Sequence, residues 1–216
     1  MRKIPFAVGE FYHIYNRGVE KRNLFQDNDD LGRFFKSISE FNTEKPIGSI
    51  FENSFKKKTQ LGSEASKLVD IICYSVSQNH YHFILEQIAD KGIEKFMHRV
   101  GTGYTKYFNN KYKRSGVLFQ GIFQSRHINS NEYLLHLSVY INLNNAIHKT
   151  RLGSFASKSS WDEYTKDFKM ELCHNKNVVL GQFKDKKEYK KFAEKFLKSM
   201  KERKEYLKKI ENCIIE

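Results

Sequence analysis

Apolar residues recur along the chain in two rhythms. Phe11 to Asn16 is aromatic and β-branched and is broken by Arg17-Gly18, which predicts a strand followed by a loop. From Asp27 and Asn28, which can cap a helix, the period changes. Leu31, Phe34, Phe35, Ile38 and Phe41 are spaced by three and four, which predicts an amphipathic helix stopping near Asn42. Residues 43–68, with Pro46, Gly48, Lys56-Lys57-Lys58 and Gly62-Ser63, predict a loop-rich connection holding at most one short strand around Ile50. Leu68 to Val76 and Tyr81 to Leu85, separated by Ser77-Gln78-Asn79, predict a β-hairpin whose second strand starts at His80.

Gly92 to Tyr112 carries Ile93, Phe96, Met97, Val100, Tyr104, Tyr107 and Phe108 at helical spacing, and a second helix is expected there. Val117 to Phe119 and Ile122 to Ile128 are strand-like. Asn129-Ser130-Asn131 then caps a helix expected to run to about Lys149. Strand, helix, strands, helix, strand, helix is the order of an α+β fold. Beyond Thr150 the chain turns Ser/Lys-rich, then Trp161 to Phe168 is apolar again. Lys186 to about Ile210 reads as a long Lys/Glu-dense helix whose apolar line, Tyr189, Phe192, Phe196 and Met200, packs on the body. The expected organisation is a module over residues 1–150 and a basic helical extension over 151–216.

A chain of 216 residues with 39% apolar, 14% aromatic and 29% charged residues can bury a proper core, which excludes wholesale disorder. No run is apolar and long enough to cross a membrane, and no export signal is expected at the start. Cys73, Cys173 and Cys213 are odd in number and in no metal-type spacing. They are read as packing residues of a protein in the reducing cytoplasm, close to the nucleoid. The net charge of +13 favours a polyanionic partner, nucleic acid first; the plainer alternative is a lysine-rich solubilised surface. Residues 151–216 hold 17 basic and 11 acidic side chains and residues 1–150 hold 21 and 14, so the excess is spread over both parts.

His80-Tyr81-His82 on a strand projects both imidazoles from one face, where they can share a divalent metal; alone, such a pair is more often two hydrogen-bonded surface histidines. On a helical wheel, Asn131, Ser138, Asn142, Asn145 and Lys149 form the expected solvent side of the helix after Ser130. Tyr133, Leu137, Tyr140, Leu143 and Ile147 gather opposite, with His136 and Asn144 on that inward side. If this helix covers the strand bearing the two histidines, Asn144 can add an oxygen ligand and Tyr140 lies beside the metal. A metal with a tyrosine points to phosphoryl transfer.

Tyr12-His13-Ile14-Tyr15-Asn16-Arg17-Gly18, Asn79-His80-Tyr81-His82, Gly116-Val117-Leu118-Phe119-Gln120 and Tyr140-Ile141-Asn142-Leu143-Asn144 resemble, in order and spacing, the motifs of single-tyrosine HUH transposases, most of all the REP-associated tyrosine transposases. The resemblance covers roughly residues 5–150, with weaker similarity around 159–164 and 179–192. It implies an antiparallel sheet with helices packed on it, the ferredoxin-like HUH endonuclease fold. It also implies nicking and joining of hairpin-bearing single-stranded DNA through a 5′-phosphotyrosine. Position by position, His80 and His82 match the paired histidine ligands, Tyr140 the nucleophile and Asn144 the third ligand, for Mg2+ or Mn2+. Three departures stand out: Ser77-Gln78 where the family has Met-Pro, Asn144-Asn145 where it has Asn-Pro, and Ile122 where an arginine commonly contacts phosphate.

His136 is a candidate base for the tyrosine proton, and Arg17, Lys21, Arg22, Lys113, Arg114 and Arg126 are candidate DNA contacts. Two other classes stay open at this level. One is a non-catalytic DNA-binding module derived from a transposase, and the other a phosphoesterase that uses water. Monomer and homodimer are equally compatible with the sequence.

Overall fold

A computed structural model describes residues 5–55, 66–144, 158–167 and 172–214. Strand β1 (Phe11–Arg17) leads through a 3-10 turn (Val19–Lys21) to α1 (Asn28–Glu40) and α2 (Ile50–Ser54). The hairpin β2 (Val69–Ser77) and β3 (His80–Gln87) follows, then α3 (Gly92–Lys111), β4 (Gln124–His127) and α4 (Asn131–Asn142). The C-terminal part adds β5 (Lys158–Ser159), α5 (Trp161–Thr165), α6 (Asn177–Leu180) and the long α7 (Lys186–Ile214). The strands form one antiparallel sheet in the order β4-β1-β3-β2-β5. The first four strands with α1 and α3 make the ferredoxin-like α+β arrangement, as expected.

Local chemistry explains the element boundaries. Asp27 accepts from the Asp30 amide to start α1, and Ser130 accepts from the Tyr133 amide to start α4. The stretch around Ile50 is a short helix rather than a strand. Ser49 and Glu52 form a reciprocal capping box, which satisfies two amide donors and outweighs the β-branched residue behind it. Strand β4 is shorter than its apolar run suggests. Leu118 and Phe119 instead dock as irregular backbone, through a bridge from Phe119 to Gly18 and a bond from the Val19 amide to Leu118.

The pairing of β1 with β3 fixes what each sheet face carries. Tyr81 and Phe83 face α1 and α3, where Tyr81 meets Phe34, and Phe34 in turn packs on Tyr104 and Phe25. All five rings are buried. Each such ring removed from water contributes about 1.5–3 kcal/mol, so this face anchors the fold. The opposite face carries His80, His82, His13 and Tyr15, and α4 packs there against β2 and β3.

A second layer closes over α4. Tyr164 and Tyr189 are completely buried in the same core, as are Cys73 and Cys173 nearby. Tyr164 donates to the Ile72 carbonyl, and Tyr74 donates to Glu163 at 2.9 Å. Glu163 also accepts from the Leu172 and Cys173 amides, so this buried carboxylate has its partners. The apolar line of α7 packs on the body as the sequence predicts: Tyr189 is buried and Phe192 and Phe196 are partly so.

Candidate active site

The antiparallel register sets Arg17 opposite His80, Tyr15 opposite His82 and His13 opposite Ile84, so one face presents three imidazoles and a tyrosine. His80 and His82 lie 5.2 Å apart between ring centroids, nearly perpendicular. Each has its Nδ1 engaged. His80 Nδ1 is 2.7 Å from Asn79 Oδ1, and His82 Nδ1 is 3.0 Å from His13 Nε2. The Asn79 oxygen can only accept, so His80 carries its proton on Nδ1 and its lone pair on Nε2.

From the other side, α4 lowers Tyr140 onto His82, edge-on, with centroids 6.2 Å apart. Asn144, one turn on, is buried, and its Nδ2 makes no hydrogen bond to a described residue. Amide oxygen and nitrogen are interchangeable by a flip, so that orphaned position can equally present an oxygen inward. Burial pushes the Tyr140 phenol above its ordinary pKa, while the Asn144 amide, with its nitrogen turned to the phenol, works the other way by favouring the phenolate. Two imidazoles of set orientation and an unsatisfied buried amide suit a divalent cation with mixed nitrogen and oxygen ligands. Among the described residues, no group of three His, Cys, Asp or Glu could hold a metal ion, so a site here depends on Asn144.

A cleft of about 640 Å³ opens over the histidines, lined by Tyr15, Asn16, Arg17, Lys21, Asn79, His80, His82, Gln120 and Gln124. Its rim is a strained loop. Glu20 and Lys21 are both left-handed, at φ 54° and 60°. Gly18 has no room for a side chain, since a Cβ would stand 2.1 Å from the Arg22 carbonyl oxygen. Asn79 ties this loop to the site, because its Nδ2 donates to the Lys21 carbonyl while its oxygen holds His80. The Gly-Val-Leu-Phe-Gln segment arrives at the same place: the Gln120 amide donates to the Arg17 carbonyl at 2.8 Å, and Arg17 donates to the Gln120 side chain.

The candidate cations therefore divide. Arg17 and Lys21 line the cleft, and Arg22 is exposed just after Lys21. Arg126 pairs with His13 across β1 and β4 and shares its sheet face. Lys113 and Arg114 are outside the cleft lining. The Arg114 guanidinium is engaged with Asn109 Oδ1 at 2.6 Å and the Val117 carbonyl at 3.1 Å. His136 stacks on Phe192 and Phe196 of α7, with centroids 5.8 and 4.8 Å away, and no described contact joins it to Tyr140.

The expected solvent side of α4 holds at its start, where Asn131 is exposed, and is corrected further along. Ser138 and Asn142 are buried, and Asn142 donates to Tyr189 and accepts from Ser160. The second layer, far along the chain, covers that side from Ser138 to Asn142, so both flanks of this part of α4 are internal. Asn145 and Lys149 lie outside the described residues. Sequence reasoning also passed over His13 and Tyr15. His13 is buried and held neutral, its pKa brought down to about 4 by desolvation and then by the charge of Arg126. Tyr15 stacks on His82 and lies tilted against His13. Alternation along Phe11 to Asn16 places His13 and Tyr15 together, but only the pairing of β1 with β3 shows that they meet His82.

Comparison with known proteins gives a structural likeness alone. No protein-family model and no curated protein matches the sequence. The fold is similar to the solved structure of a REP-associated tyrosine transposase bound to a REP hairpin, with a TM-score of 0.53 and 13% identity over 81% of this chain and 93% of that one. The fold thus belongs with the α+β architecture that the motifs implied. No described helix is long and apolar enough to cross a membrane.

Proposed function

We propose that the chain is a metal-dependent single-stranded DNA nicking and joining enzyme that acts at hairpin-flanked sites. The observation that carries this reading is Tyr140 set edge-on to His82, whose ring lies 5.2 Å from that of His80, with buried Asn144 one turn further along the chain. The fold likeness to a hairpin-bound transposase and the basic cleft rim support it. His80, His82 and Asn144 would hold Mg2+ or Mn2+, which when bound supplies Lewis-acid charge beside a scissile phosphate. The Tyr140 oxygen attacks phosphorus as its proton passes to solvent. A tyrosyl O–P bond forms while the P–O3′ bond breaks, and the 3′ oxygen departs and takes up a proton. The 5′ end stays on the enzyme as phosphotyrosine, a diester whose energy is close to that of the bond broken. A 3′-hydroxyl from another strand can therefore reverse the step. Arg17, Lys21 and Arg126 would meet backbone phosphates along the sheet edge.

The test is incubation of the full chain with labelled single-stranded hairpin DNA and Mn2+, read on denaturing gels and by mass spectrometry. A covalent adduct mapped to Tyr140, lost in Tyr140→Phe and His80→Ala, is the expected result. Cleavage that survives Tyr140→Phe would replace this reading with a water-using nuclease. Hairpin binding without cleavage would replace it with a non-catalytic module.

A further inference from the structure

The bond between His13 Nε2 and His82 Nδ1 joins two imidazoles at 3.0 Å, so one ring must donate and the other accept. The direction decides what His82 can do. If His13 donated, the His82 proton would sit on Nε2 and that nitrogen could ligate nothing. If His13 accepts, His82 is protonated on Nδ1 and its Nε2 bears a lone pair. That is the tautomer which Asn79 imposes on His80, two residues earlier on the same strand face.

We propose that His13 is a positioning residue that accepts the His82 Nδ1 proton and so presents His82 Nε2 as a ligand. This inference rests on the metal-dependent reading above. His13 is well placed for the task. It lies on β1, which is paired on both sides, by β3 and by β4, and the residue is 8% exposed. Tyr15 lies tilted against it at 4.8 Å between centroids and stacks on His82 at 5.7 Å, so one aromatic ring touches both imidazoles. An imidazole is also a neutral acceptor. A carboxylate at this position would draw in Arg126, its cross-strand partner, and would set a negative charge behind a face meant for phosphates. Partners of ligating histidines commonly set both tautomer and ring orientation, and losing one costs about 10–100-fold in metal affinity.

Two measurements on the full-length protein decide the matter. Nitrogen-15 NMR of the histidine rings in the metal-free protein reads the tautomer directly, and His82 is expected as the Nδ1–H form in the wild type and as a mixture in His13→Phe. Isothermal titration with Mn2+ is expected to show affinity falling about 10–100-fold in His13→Phe and largely recovering in His13→Gln, whose amide oxygen restores an acceptor. Circular dichroism melts confirm that each variant folds. An Nε2–H tautomer in the wild type, or wild-type Mn2+ affinity in folded His13→Phe, would overturn the role of His13. Absence of any DNA adduct with the expected tautomer in place would instead count against the nicking reading and leave His13 as the setter of His82.

Discussion

Tyr140 on α4 stands edge-on to His82 on β3, at an interplanar angle of 86°. The contact comes from two independent features of the chain: alternation along β3, which turns His82 away from the aromatic core, and the packing of α4 on β2 and β3. Replacing Tyr140 with Phe keeps the ring and removes only the oxygen. The variant is expected to fold and to bind hairpin DNA as the wild type does, because the hydroxyl sits at a half-buried surface where such changes cost about 1 kcal/mol or less. Adduct formation is expected to vanish. Denaturing gels beside a filter-binding titration check both halves, and an adduct formed by Tyr140→Phe would remove Tyr140 from the role of nucleophile.

The pH dependence follows from the surroundings of Tyr140. Burial raises its pKa above the ordinary value and the Asn144 amide only partly offsets this, so the phenol is neutral through the physiological range. A phenolate fraction well below its midpoint grows about tenfold per pH unit. Single-turnover adduct formation at limiting Mn2+ is therefore expected to climb from pH 6.5 to 9 without a plateau. A flat profile over this range would show that ionisation of Tyr140 does not govern the step.

Much of this arrangement is legible in the sequence, because the elements that build it are local. Asp27 and Ser130 announce the helices they cap, and His80-Tyr81-His82 announces a strand with two imidazoles on one face. The hydrophobic spacing of Leu31 to Phe41 and of Ile93 to Phe108 marks the two helices of the aromatic core. What escapes is what depends on partners distant along the chain. The polar residues Ser138 and Asn142 look like a wet surface until Ser160 and Tyr189 arrive to cover them. His13 looks like one more strand residue until β3 pairs beside it. His136 belongs to the inward side of a lone helix, yet it finds its place between two rings of α7. Ser49 and Glu52 are different, since their capping-box spacing was a local signal beneath a β-branched residue.

The second layer makes a stability prediction. Asn142 Nδ2 donates to the Tyr189 hydroxyl at 2.9 Å, and both side chains are almost wholly inaccessible. Tyr189→Phe leaves the ring in place but deprives a buried amide of its acceptor, which costs about 1–3 kcal/mol. Thermal unfolding is expected at a temperature a few degrees lower. Ending the chain at residue 157 is a harsher change, because β5, Tyr164 and Tyr189 all go, and that fragment is expected to aggregate or stay unfolded. A truncated chain that melts like the wild type would show that the first 157 residues are self-sufficient.

Salt separates the cations that meet DNA from those that hold the protein together. Arg17 and Lys21 line the cleft and Arg126 lies on the same sheet face as His13. Each phosphate neutralised on single-stranded DNA releases counterions and steepens the fall of log affinity with log salt by about 0.7. Arg17→Ala, Lys21→Ala and Arg126→Ala are each expected to flatten the slope by roughly that amount. Arg114→Ala should behave differently. Its guanidinium already binds Asn109 and Val117 and lies over the Phe108 ring at 5.8 Å, so its loss should lower the melting temperature and leave the slope alone. Fluorescence anisotropy of a labelled hairpin over a range of salt concentrations measures every slope. If Arg114→Ala flattens the slope while Arg17→Ala and Lys21→Ala do not, the DNA path runs past the end of α3 rather than over the histidines. The histidine face would then need another substrate.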